Sequence, residues 1–451
     1  MRNSSVVMRR RQRQRKERVR RRKDRQQCRR ERACERRMSA MWSRSQGLVG
    51  AVIENVSVAE DGSVVICARP RAGERERCGK CHGRCLYRDE GDGRRQWRGL
   101  DCGVVRVYIE ADAPRVSCFE HGVIVAAVPW ARHDTGFTRM FDDLVAWKVV
   151  EQSAKAVCEE LGIAWRTVGR ICKRVCAERR SMLDPLGDLR EIGFDEISVR
   201  RGQRYMTVVV DHRSGRLIWA AAGRDQATVK RFLDLLGQEG CEKLELVSCD
   251  DADWVTVPVA ERCPNADICL DAFHVVKAAT DAVDEVRREV WNEARRAGDA
   301  GLARKLKGAR YALWKNPDKL TGRQQQKLAF IKQLNSPIYT AYLLKEQLRQ
   351  IYELPGRKAL ALLDAWLKWA RRCQLEPFVK LAARITKQRY KIEGALIHGL
   401  SNARVEQINT QIRLIMRRGY GFHSPDAVIS LAMLSLGGLR PPRPHQAKQL
   451  A

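Results

Sequence analysis

Glu191-Ile192-Gly193-Phe194-Asp195-Glu196-Ile197-Ser198-Val199 reads as a buried strand with a carboxylate in its middle. Apolar and β-branched residues surround the acid, and two further strand-like runs follow at residues 206–211 and 217–221. Burying an ionised carboxylate costs several kcal/mol unless it is paired or holds a cation. Asp195 is therefore either a strand-end residue in water or a metal ligand.

Downstream, residues 225–237 have the pattern of an amphipathic helix and residues 244–251 that of a fourth strand, ending in Asp250 and Asp251. A short helix is expected at 257–263, a turn at Pro264-Asn265, and a fifth strand at 268–274 that ends on Asp271 and His274. Three strands, helix, strand, helix, strand make a mixed α/β sheet with helical crossovers. If the first and fourth strands are neighbours, Asp195 and Asp250 can share a cation at the strand ends. All-oxygen ligands of this kind select magnesium or manganese over zinc.

From 275 to about 400 the pattern is helical, interrupted by loops at 315–321 and 353–356. Trp291, Trp314, Trp366 and Trp369 read as core residues of this region rather than base-stacking platforms. The next helix, 401–416, sorts cleanly by face. Val405, Ile408, Ile412 and Ile415 fall on one side, and Asn402, Glu406, Asn409 and Arg413 on another. Glu406 thus sits among amides and an arginine, a spacing that a surface glutamate would share.

Toward the N-terminus the formal net charge of +31 becomes informative. Residues 1–40 carry 18 Lys/Arg against 4 Asp/Glu, a surplus of 14, and the remainder still carries +17. The tail has almost nothing to bury and is expected to be disordered. The basic remainder favours a polyanionic partner, with nucleic acid foremost. No apolar run approaches the roughly 20 residues of a spanning helix, and the first forty residues lack the apolar core of a secretory signal, so a cytoplasmic location and no membrane partner are expected. Sixteen cysteines in such a chain are read as thiols, some on a metal. Cys241, Cys249, Cys263 and Cys269 look like plain core residues.

Strand-like runs between 48 and 69 lead into Arg77-Cys78-Gly79-Lys80-Cys81, and after a strand at 104–109 comes Val116-Ser117-Cys118-Phe119-Glu120-His121-Gly122. Two ligand pairs, each with two residues between partners and held apart by a hairpin-like spacer, suit one tetrahedral structural zinc ion. Cys78, Cys81, Cys118 and His121 are the expected ligands; if one pair is incidental, Cys85, Cys102, His82 or His133 completes the set. The ribbon would order a small β-domain without a core of its own. Next, residues 153–161, the turn Gly162-Ile163-Ala164 and residues 165–175 spell helix, turn, helix. Its shared apolar face leaves Arg166, Thr167, Arg170, Lys173 and Arg174 to point outward, a basic face suited to a DNA major groove; packing alone is the other reading.

The chain resembles the bacterial insertion-sequence transposases of the ISL-three family. The resemblance rests on the paired Cys motifs with the helix-turn-helix behind them, on Gly193-Phe194-Asp195-Glu196, and on Pro264-Asn265-Ala266-Asp267-Ile268-Cys269-Leu270-Asp271-Ala272-Phe273-His274-Val275-Val276-Lys277. Leu313-Trp314-Lys315-Asn316-Pro317, Asn402-Ala403-Arg404-Val405-Glu406-Gln407-Ile408-Asn409 and Arg417-Arg418-Gly419-Tyr420-Gly421-Phe422 extend it. The resemblance implies a ribonuclease-H-like catalytic domain with a long all-helical insertion, preceded by a zinc-ribbon β-domain and a helix-turn-helix. Its acid triad falls on Asp195, Asp250 and Glu406; Asp251 and Asp271 are the other candidates for the second acid. Asp271 and His274 match an acid-x-x-His element with a structural or accessory role. The last zinc position is a histidine where cysteine is commoner.

Also implied are two Mg2+ (or Mn2+) ions about 4 Å apart on the triad, cleavage at the element's ends, and attack of the freed 3′-hydroxyl on target DNA. One structural Zn2+, double-stranded DNA as partner (terminal inverted repeats and target), a homodimer in the synaptic complex and a place at the bacterial nucleoid complete the expectation. The expected division is a basic tail 1–40, ribbon domain 41–134, helix-turn-helix 135–183, catalytic core 189–275, helical insertion 276–396, the rest of the core with the glutamate helix 397–440, and a tail 441–451. The rivals are a DNA-binding regulator without catalysis and a nuclease without strand transfer.

Overall fold

A computed structural model describes residues 27, 30, 33–200, 204–334, 337–354, 356–419 and 425–443. Most of the expected basic tail lies outside them, as do Tyr420, Gly421 and Phe422, but its last residues, 33–40, are helical rather than disordered as expected. The chain divides into two compact units, residues 1–175 with 441–451, and residues 176–440.

In the first unit a helix over 33–45 precedes seven strands: β1 Ala51–Val58, β2 Val64–Pro70, β3 Leu86–Asp89, β4 Arg94–Arg98, β5 Val107–Asp112, β6 Arg115–Cys118 and β7 Gly122–Val125. They form two sheets rather than one. The order β1-β2-β5-β4 makes a mixed sheet in which β2 and β5 run parallel, and β3-β6-β7 makes an antiparallel one. The four-stranded sheet does have a core, contrary to expectation. Ile66, Val107, Ile109, Trp97 and Trp130 are buried together, the two indoles edge to face at 5.8 Å. Only the smaller sheet lacks one: Leu86, Tyr87, Phe119 and Val123 around it are exposed. Three helices follow, Arg139–Glu151, Ala154–Leu161 and the start of Trp165–Met182. Ser153 caps the second by accepting from Ala156 N–H, and Gly162 ends it in the left-handed region at φ 58°, where a side chain would be strained.

The second unit is built on one five-stranded sheet, β8 Glu191–Arg200, β9 Arg204–Asp211, β10 Leu217–Ala222, β11 Leu246–Cys249 and β12 Asp267–Leu270, in the order β10-β9-β8-β11-β12. β8 is central, antiparallel to β9 and parallel to β11, which is parallel to β12. Apolar side chains alternate to both faces of β8, so helices must cover both. Gln226–Lys243 and Asp253–Arg262 are the crossovers, with Phe194, Phe232, Val229, Val247 and Val259 in the core between them. The first crossover bends at Gly237 and runs to Lys243, past the expected end; the second begins before the expected 257.

β12 stops at Leu270, and a 25-residue helix, Ala272–Arg296, starts at once with Asp271 as its N-cap residue. His274 is therefore on a helix, not at the end of a strand as expected. That helix opens the helical segment, which continues to Arg389–His398 around a core including Leu313, Leu344, Leu363, Trp366 and Phe378. Trp366 is fully buried and its Nε1 donates to Leu344 O at 2.8 Å; Trp291 and Trp369 pack against the same core. The chain then returns to the sheet. Helix Ala403–Arg418 packs on β8 and β9, and Pro425–Leu436 on β10.

Candidate active site

Parallel pairing of β8 with β11 matches Ser248 to Gly193, so Asp250, two residues on, comes level with Asp195. Asp195 is mid-strand, opposite Val208 of β9, not at an end in water. Its Oδ1 accepts from Glu196 N–H at 2.7 Å, and its Oδ2 from Asn409 Nδ2. Burial first, and then the charge of Asp250, push the Asp195 carboxyl up to about 7. Asp250 is raised too, chiefly by burial, with Asp271 and Glu196 adding to it and His274 opposing. Asp250 thus makes Asp195 harder to ionise, and Asp271 and Glu196 do the same to Asp250, as expected where carboxylates crowd one site.

His274 stands between two acids. Its Nε2 is 3.1 Å from Asp250 Oδ2 and its Nδ1 3.4 Å from Asp271 Oδ2, and its pKa is raised by the bond to Asp271 and by both charges. The acid-x-x-His element therefore places an imidazole against Asp250, where its positive form favours the ionised carboxylate. Asp251 faces elsewhere: Arg384 Nη2 lies 2.7 Å from its Oδ2 and helps hold its pKa down. Asp250 is thus the acid level with Asp195, and Asp271 lies on the other side of His274 from it.

Glu406 is exposed on helix Ala403–Arg418, its backbone N–H bonded to Asn402 O. Asn402, one turn before it, has Nδ2 3.4 Å from Asp250 Oδ1; Asn409, on the turn after, holds Asp195. The helix face carrying Glu406 therefore spans both acids. Among the described residues two groups of three or more metal-capable side chains close to within 4.8 Å, and neither Asp195 nor Glu406 is in either: Asp250, Asp271 and His274 form one, and Cys78, Cys81, Cys118 and His121 the other. Buried Asn402 and Asn409 were visible in the sequence only as polar neighbours of Glu406, and their contacts to the acids carried no signal there.

The residues fit a hard divalent cation. The donors are carboxylate oxygens whose mutual repulsion a cation would relieve, and the buried Oδ1 of Asn409, whose Nδ2 holds Asp195, has no hydrogen-bond partner among the described residues.

In the ribbon, Cys78 Sγ and Cys118 Sγ each lie 3.6 Å from His121 Nδ1, and Cys81 Sγ is 3.7 Å from Cys118 Sγ. A tetrahedron with zinc–sulfur bonds of about 2.3 Å has edges of about 3.8 Å, so the four side chains are spaced as a zinc ion requires. The hydrogen bond from His121 lowers the Cys118 thiol to about 6, nearer the thiolate a metal binds. Cys85, Cys102, His82 and His133 are outside the group. The core cysteines are inert by contrast: burial pushes Cys249 and Cys269 up to about 12.

On helix Trp165–Met182, Arg166, Arg170 and Lys173 are exposed and Thr167 half-buried, while Val168 and Ile171 are buried. Arg174 departs from the expected outward face. Its Nε donates to the fully buried Asp142 at 3.1 Å and its Nη2 to Thr135 Oγ1 at 3.0 Å. Arg132 meets the same acid, whose pKa burial raises. A buried carboxylate needs that company, so Arg174 serves the fold.

A zinc-ligand cluster and a helix-turn-helix, followed in the chain by an acid-bearing mixed sheet, mark a DNA-binding class of protein. Comparison with known families makes this specific. A family model described as "Transposase" matches residues 192–431, one for the helix-turn-helix domain of transposase family ISL3 matches 126–176, and one for the zinc-finger of transposase IS204/IS1001/IS1096/IS1165 matches 74–121. The chain belongs to the ISL3 family of transposases. It is 50% identical over 426 residues to the transposase for insertion sequence element IS1557 of Mycobacterium tuberculosis, covering 89% of this chain and 96% of that one. It is also 28% identical over 255 residues to the transposase for IS1001 of Bordetella parapertussis, 55% of this chain and 61% of the other. Among the described residues no helix is long and apolar enough to cross a membrane.

Proposed function

We propose that the chain cuts DNA at the ends of its insertion sequence and joins them to target DNA, using Asp195, Asp250 and Glu406 on a ribonuclease-H-like sheet. The pairing of Asp195 with Asp250 at the centre of the sheet carries the reading. Three antiparallel strands followed by two parallel ones, with one acid inside the first strand and another just past the fourth, support the ribonuclease-H-like assignment. The three carboxylates would hold two Mg2+ or Mn2+ ions, which when bound supply a water activated for in-line attack and charge neutralisation on the leaving oxygen. Asn409 and Asn402 orient the two strand acids, and His274 limits the negative charge around Asp250. No covalent enzyme intermediate is required, consistent with the absence of a Ser, Tyr or Cys nucleophile in this set.

Arg166, Thr167, Arg170 and Lys173, with the zinc ribbon, would hold the terminal inverted repeats, and basic side chains the phosphates. A homodimer would bring two ends together, in the cytoplasm at the nucleoid. The test is incubation of the purified chain with Mg2+ and labelled DNA carrying the element's ends. Nicked and joined products are expected. Nicking without joining would make the protein a nuclease, and binding without nicking a regulator.

A further inference from the structure

Beneath the acids runs a chain of buried polar side chains of which the catalytic reading uses only the last, Asn402. His212, Ser248 and Asn402 are 4%, 0% and 1% exposed and come from three separate segments: the turn after β9, the middle of β11, and the residue before helix Ala403–Arg418. Ser248 Oγ lies 2.5 Å from Asn402 Oδ1, and His212 Nε2 2.7 Å from Ser248 Oγ. A carbonyl oxygen cannot donate, so the serine proton goes to Asn402 and the histidine must donate to the serine. That fixes the histidine as the Nε2–H tautomer and turns the Asn402 amide nitrogen toward Asp250, 3.4 Å from Oδ1. The backbone N–H of Asn402 donates to Asp271 Oδ1 at 3.3 Å, and its carbonyl accepts from Glu406 N–H at 2.9 Å. One residue, through its side chain and its backbone, thus touches β11 and the acid just past it, the acid after β12, and the first turn of the helix that bears Glu406.

Burying three neutral polar groups here is costly unless every bond is made. Apolar side chains would close the same gap but could not orient a carboxylate. We propose that Asn402, held by Ser248 and His212, is a positioning residue that sets the rotamer of Asp250 and the start of the Glu406 helix, and thereby the affinity of the acids for a divalent cation. This rests on the triad reading for the identity of the ligand, though not for the geometry.

The test is direct Mn2+ binding to the full chain without DNA, followed by electron paramagnetic resonance, for the unsubstituted protein and for Asn402→Ala, Ser248→Ala and the double variant. Groups that orient metal ligands typically change affinity by about 10- to 100-fold. Asn402→Ala is expected to weaken Mn2+ binding about tenfold or more, and Ser248→Ala severalfold. The double variant should be no worse than Asn402→Ala, because the two act in series. Ser248→Ala removes one oxygen and keeps the fold, so it decides the matter if Asn402→Ala does not fold. Mn2+ affinity within twofold of the unsubstituted chain in Ser248→Ala, or no Mn2+ binding by the unsubstituted chain, overturns the proposal. A chain that binds Mn2+ as described but never nicks DNA overturns the transposition chemistry instead.

Discussion

Asn409 donates a hydrogen bond to Asp195 across 214 positions of the chain. The bond ties a helix that follows the whole helical segment to the central strand that precedes it. Asn402 makes the matching tie to Asp250, so the glutamate helix is registered against both acids by two amides on the face that Glu406 shares.

If these three acids are the reacting set, Asp195→Asn, Asp250→Asn and Glu406→Gln should each bind end DNA as the unsubstituted chain does, within about twofold. Cleavage should fall by about a thousandfold or more, since a metal ligand and its charge are lost together. Gel-shift and nicking assays on the same DNA measure both quantities. Unimpaired nicking by any of the three removes that residue from the set.

The metal-free protein should lose stability as the pH rises. Asp195 titrates at about 7 in the folded chain, because of burial and of Asp250, but near 3.9 when unfolded. Between those values the folded chain keeps a proton that the unfolded chain gives up, so unfolding becomes easier as pH increases from about 4 through 7. Thermal melts in a chelator should show this fall, and Asp195→Asn should flatten it and raise Tm at pH 8.

Gly193 faces the same helix. A β-carbon there would overlap a methyl of Val405 and come within 2.7 Å of both His212 Nε2 and Ser248 Oγ. Gly193→Ala should push the glutamate helix off β8, abolishing DNA nicking and lowering Tm, while zinc content stays at one per chain.

Removing that zinc should act elsewhere. The strands β3, β6 and β7 bury little, so the four ligands hold them together. Chelation, or Cys81→Ser, should raise hydrogen exchange across residues 76–89 and 115–126 and weaken end binding. The Trp97–Trp130 sheet should stay protected, because it has its own core.

The two kinds of arginine on helix Trp165–Met182 should separate by assay. Arg166→Ala and Arg170→Ala should weaken end binding, each lowering its salt dependence by about one counterion, with Tm unchanged. Arg174→Ala should cost about 3 kcal/mol of stability, because it leaves buried Asp142 short of a partner. A melt and a salt titration distinguish them.

Much of this was legible in order along the chain. Cys78, Cys81, Cys118 and His121 could be read from spacing because a knuckle is local: two ligands three residues apart converge whatever the rest does. The strand carrying Asp195 and the amphipathic face carrying Glu406 could be read because burial imposes a period on the residues themselves. The sequence alone determined which elements form and which side chains are chemically able to act.

Tertiary structure decided which of them meet. Parallel pairing of β8 with β11 puts Asp250 beside Asp195, and Arg384 turns Asp251 away. Burial of Asp142 draws Arg174 inward from a face where periodicity had placed it outside. His212, Ser248 and Asn402 lie far apart in the chain and follow no pattern, so only folding joins them. A hydrogen bond between distant residues depends on register and packing, and neither is written in local spacing.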